Sequence, residues 1–73
     1  MGRELRGIRG EDAIRAFVKA GGIRRGGNGD HGNIKMLNGR ILTVPGNREL
    51  QIGLLKDAIN KAGLTDEQFL ELQ

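Results

Sequence analysis

The 73-residue chain predicts an α+β domain: a three-stranded antiparallel sheet with helices on one face and the other face wet. Three observations carry that reading. An apolar stripe at helical spacing runs from Glu11 to Ala20, an alternating segment from His31 to Val44 is broken by Asn38-Gly39, and a second helical stripe runs from about Glu49 to Ala62. The order is helix, three strands, helix and short helix (α-β-β-β-α with a short C-terminal helix). The length allows one domain, residues 1–73, with one small core.

In the first helix Ile14, Phe17 and Val18 share a stripe opposite Arg15 and Lys19, Glu11 and Asp12 suit the positive N-terminal end, and Gly21-Gly22 stops it. Ile23-Arg24-Arg25 forms a short strand before a run crowded with glycine, residues 26–32. From His31 to Leu37, Ile34 and Met36 fall on one face and His31, Asn33 and Lys35 on the other. Asn38-Gly39 then turns the chain into Arg40–Val44, which Pro45 and Gly46 end.

Two registers compete at that turn. A two-residue loop sets Met36 opposite Ile41 and leaves Leu42 and Val44 outward; a three-residue loop, with Gly39 left-handed, pairs Met36 with Arg40 and Ile34 with Leu42. The second buries two more aliphatic side chains, worth on the order of 2 to 5 kcal/mol, and is preferred. In the second helix Leu50, Leu54, Leu55, Ala58 and Ile59 form the apolar stripe, and Gly63 is the stop. Thr65-Asp66-Glu67-Gln68 reads as a capping box opening a last short helix that carries Phe69, Leu70 and Leu72.

Composition narrows the function. The net charge of +3 is uneven: residues 1–40 carry +5 and residues 41–73 carry −2, so the half with the glycine run points to a polyanionic partner. With no cysteine and one histidine, neither a thiolate site nor a zinc centre is expected, and no metal or cofactor is assigned. The N-terminal residues have charge but no apolar core of a signal segment, and nothing approaches membrane-spanning length. A cytoplasmic protein without a membrane partner is expected.

Several motifs fail on context. Gly27-Asn28-Gly29-Asp30-His31-Gly32 spells G-x-G-x-x-G, but a strand follows it, so no helix N-terminus meets a pyrophosphate. No lysine followed by Ser or Thr comes after these glycines, and the chain has no serine for a Ser-His-Asp triad. Trp and Tyr are absent, and Phe17 and Phe69 fit helix faces of the core, leaving no stacking platform for single-stranded bases. His31 remains. An imidazole exchanges a proton near neutrality without extreme tuning, and its glycine neighbours let another backbone approach.

At this point the residues carry a resemblance. Gly21-Gly22-Ile23-Arg24-Arg25, the Gly-x-His step Gly29-Asp30-His31, the run from Asn38 to Pro45 (Gly-Arg-Ile-x-Thr-Val-Pro in its second part) and the helix Gly53 to Leu64 together resemble the HicA toxin family. The match runs from about Ile8 to Leu70. The resemblance implies a double-stranded-RNA-binding-domain-like fold and an mRNA interferase, an endoribonuclease that arrests translation and growth until a HicB-type antitoxin sequesters it in a heteromeric complex. His31 matches the essential histidine of that family. The family usually shows Gly-Ser-His, whereas Asp30 precedes His31 here and Gly32 follows it. A carboxylate beside His31 either raises its pKa and orients the ring or repels RNA phosphates.

Metal-free RNA cleavage needs a base for the ribose 2′-hydroxyl, cations for the phosphorane and an acid for the leaving oxygen. His31 fills one proton-transfer role, and the other falls to Lys35, Asp30, water or His31 itself in sequence. Arg24, Arg25 and Lys35 are candidates for holding the phosphate, with Gly29 and Asp30 completing the RNA-binding set. Two rival readings need no His31: a non-catalytic double-stranded-RNA-binding module and a basic face that docks an acidic protein.

Overall fold

The computed structural model describes residues 4–26 and 31–73. Its elements run α1 (Gly10–Lys19), β1 (Ile23–Arg25), β2 (His31–Lys35), β3 (Ile41–Pro45), α2 (Ile52–Lys61) and α3 (Asp66–Glu71). The sheet has the order β1-β2-β3 with both neighbours antiparallel. The α+β layout and the element order agree with the reading of the sequence.

Register decides which side chains meet the helices. Ile34 pairs with Leu42 and Gly32 with Val44, all four buried, while His31, Lys35, Ile41 and Thr43 are exposed. The three-residue turn is the one formed: Met36 N–H donates to the Arg40 carbonyl at 2.8 Å, Gly39 N–H donates to the Met36 carbonyl at 2.9 Å, and Gly39 takes φ +89°. Asn38 steadies the turn at both ends. Its Oδ1 accepts from Arg40 N–H, and its Nδ2 donates to the Lys61 carbonyl at the end of α2, each at 2.9 Å.

α1 and α2 lie over the buried face of the sheet, and α3 closes the core by setting the Phe69 ring 5.2 Å from that of Phe17, centroid to centroid. Both rings are fully buried. The capping box opens α3 as expected: Gln68 N–H donates to Thr65 Oγ1, and Thr65 N–H donates to Gln68 Oε1.

Four details differ from the sequence reading. α2 begins at Ile52 rather than near Glu49, because Arg48–Leu50 runs extended beside Ile8–Gly10: Gly10 N–H donates to the Arg48 carbonyl and Leu50 N–H to the Ile8 carbonyl, each at 2.8 Å. Leu50 is therefore buried from an extended segment and not from a helical stripe. Val18 and Leu54 are about two-fifths exposed, since each helix meets a single layer and the edge of a wide stripe stays in water. β2 stops at Lys35 and β3 runs one residue later than expected, from Ile41 through Pro45, which pairs with His31. Leu5 and Ile8, which no periodicity marks, join the core.

Candidate nucleic-acid interface

His31 opens β2 and is exposed on the face turned away from the helices, with Lys35 further along the same strand and face. Between them Asn33 ties three segments together. Its Nδ2 donates to the Gly26 carbonyl, where β1 gives way to the glycine run, and its Oδ1 accepts from Thr43 Oγ1 on β3, both at 2.9 Å. Lys35 sits in the row Ile23–Lys35–Ile41. At the strand rise its backbone lies about 13 Å from that of His31.

The two arginines of β1 part company. Arg25 pairs with Asn33 and faces outward with His31 and Lys35, whereas Arg24 pairs with Ile34 and faces the helix side. There Arg24 joins His31 in the wall of a groove of about 530 Å³, a volume within the range of ligand sites. α1 contributes Glu11, Ile14 and Arg15 to its lining, and Asn47, after β3, lines it too. His31 thus stands at the rim shared by the outward sheet face and this groove.

Glycine makes the rim possible. A Cβ on Gly32 would fall 2.6 Å from Ile14 Cδ1, so the bare backbone next to His31 is where α1 settles onto β2. Gly32 beside His31 thus has a packing reason.

Charge separates in the same sense. Residues 23–26 and 31–46 carry Arg24, Arg25, His31, Lys35 and Arg40 and no Asp or Glu. Among the described residues the ion pairs are Glu4–Arg6, Asp12–Arg15, Asp66–Lys56 and Asp57–Lys61, and none of them involves a strand residue. No carboxylate among the described residues pairs with Arg24, Arg25, Lys35 or Arg40. Such unpaired cations on a sheet and its turn form the footprint expected for a polyanion.

Of the residues singled out from sequence, His31 and Arg24 come together at the groove, Arg25 and Lys35 share the outward face, and Gly29 and Asp30 lie outside the described residues. Glu11, Arg15 and Asn47 are the groove residues that pattern reading missed. Glu11 carried a signal, an acidic group in the first turn of a helix, but that signal speaks to the helix dipole and not to a site.

Among the described residues no group of three or more His, Asp or Glu side chains gathers as metal ligands, and no helix is long and apolar enough to cross a membrane. No protein-family model matches the chain, and no curated protein matches it in sequence.

Proposed function

We propose that this chain is a HicA-type toxin: a cytoplasmic, metal-independent endoribonuclease that cleaves mRNA, uses His31 in proton transfer, and is restrained by a HicB-type antitoxin seated over the outward sheet face. The observation that carries the reading is the setting of His31. It is exposed at the rim of a groove whose walls include Arg24 and Arg15, on a sheet whose described residues hold cations and no carboxylate.

The chemistry follows from that setting. An arginine held beside a phosphodiester offsets the charge that grows on the phosphorane oxygens, and a forked guanidinium does so through two parallel hydrogen bonds. An imidazole within reach of the ribose or of the leaving oxygen moves a proton at neutral pH without special tuning. Arg25 and Lys35, on the outward face, hold flanking phosphates and lengthen the footprint. An antitoxin on that face competes with RNA through its own acidic groups.

The test is cleavage of a long RNA by the purified chain with EDTA present, wild type beside His31→Ala. Fragments from the wild type alone support the ribonuclease. Equal fragments in both lanes remove His31 from its role, and bound but intact RNA in both lanes replaces the enzyme with a binding module.

A further inference from the structure

We infer that Glu11 is the general base of the site and His31 its general acid, an assignment that rests on the ribonuclease reading above. Among the described residues Glu11 is the one carboxylate lining the groove, as His31 does, and it makes no ion pair or side-chain hydrogen bond with another described residue. Its neighbour Asp12 is committed to Arg15. That leaves Arg15 partly neutralised and Arg24 as the cation in the groove with no carboxylate partner among the described residues. The groove therefore offers a free carboxylate, an imidazole and a guanidinium. Among the described residues the charged and titratable groups lining the groove are then Glu11 and Arg15 from α1, Arg24 from β1 and His31 from β2, and Asn47 is neutral.

The roles follow from what the two groups can do: a carboxylate accepts a proton, and an imidazole that carries one can give it to a leaving oxygen. The Glu11 carboxylate takes the ribose 2′-hydroxyl proton, and the 2′-oxygen forms a bond to phosphorus. The bond from phosphorus to the 5′-oxygen breaks, and imidazolium at His31 gives its proton to that oxygen. The products are a 2′,3′-cyclic phosphate and a 5′-hydroxyl. Glu11 is left as the acid and His31 as neutral imidazole, and a proton passed through water restores both. Arg24 holds the non-bridging oxygens throughout.

The experiment begins by mapping a bond that the wild type cuts in a long RNA. Oligonucleotides spanning that bond are then made with either the natural 5′-oxygen or a bridging 5′-sulfur, a leaving group that needs no protonation. Glu11→Gln is expected to lower kcat by roughly 10²- to 10⁴-fold on both substrates and to erase the acidic limb of the pH profile of kcat/KM. His31→Ala is expected to fail on the oxygen substrate and to recover on the sulfur one. Glu11→Asp, which keeps the carboxylate, is expected to keep the acidic limb at a reduced rate, an effect that a purely structural role for Glu11 would not produce. Wild-type rates with an intact acidic limb in Glu11→Gln overturn the assignment while leaving the ribonuclease standing, as does rescue of Glu11→Gln by sulfur. A wild type that cuts no RNA overturns both.

Discussion

A Cβ built on Gly10 would land on the carbonyl oxygen of Pro45, so the first turn of α1 rests directly on the backbone at the end of β3. Neither partner is a mobile side-chain tip that can swing aside. Glu11 and Arg15 follow from the same helix, and Gly46 follows Pro45, so this contact sets the width of the groove beside His31.

Gly10→Ala must therefore push the helix off the strand. The expected cost is about 3 kcal/mol, the upper part of the overpacking range, read as a lower midpoint in urea unfolding. Gly53→Ala is the matching control. Open space surrounds Gly53 near the start of α2, and its backbone is helical, so the added methyl should raise stability by about 0.5 kcal/mol through a stiffer unfolded chain. Equal effects of the two substitutions would refute the close contact.

The hairpin register was open to reading from residues alone, because only one pairing puts Ile34, Leu42 and Val44 on a common face and Asn38-Gly39 suits its turn. His31 and its outward aspect were legible for a similar reason: the two-residue period of β2 places it opposite in phase to Ile34. The start of α2 was not. Leu50 fits a helical stripe, and what holds it extended is pairing with Ile8, distant in sequence and unmarked by any local pattern. The groove is tertiary in the same way. Glu11 and His31 line it together because α1 settles over the bare backbone of Gly32, a relation that needs Ile14 and Gly32 placed in space.

The Asn33 junction gives a second expectation. Asn33→Ala loses both the bond to Gly26 and the bond from Thr43, and Thr43→Val loses only the latter. These bonds are not deeply buried, so each is worth about 0.5 to 1 kcal/mol, and Asn33→Ala should cost roughly twice what Thr43→Val does. Because the two residues share a bond, the double variant should be no less stable than Asn33→Ala alone, which a double-mutant cycle by urea unfolding reads directly. Additive losses would show that Asn33 and Thr43 act independently.

A third concerns α3, whose six residues are too few to hold a helix alone. Phe69 anchors it by filling the core beside Phe17, so Phe69→Ala should cost about 3 to 5 kcal/mol through the cavity it leaves, a large share of the stability of so small a domain. Thr65→Ala removes only the cap and should cost about 1 kcal/mol. Thermal unfolding followed by far-ultraviolet circular dichroism checks the order, and a Thr65 effect as large as that of Phe69 would mean that capping rather than core contact holds the C-terminal helix.

The last expectation tests the cationic sheet through salt. A lysine or arginine that neutralises an RNA phosphate releases a counterion, so the slope of log affinity against log salt should fall in magnitude by about 1 for each such contact removed. Arg24, Arg25 and Lys35 have no carboxylate partner among the described residues, so Arg24→Ala, Arg25→Ala and Lys35→Ala should each flatten the slope. Lys61→Ala should not, because Lys61 lies on α2 and pairs with Asp57 at 3.6 Å. Binding of a non-cleavable RNA analogue, with 2′-methoxy groups throughout, measured across a salt series separates affinity from cutting. Equal slopes for all four variants and the wild type would place the RNA elsewhere on the surface. A flattened slope for Lys61→Ala alone would place it on the helical face.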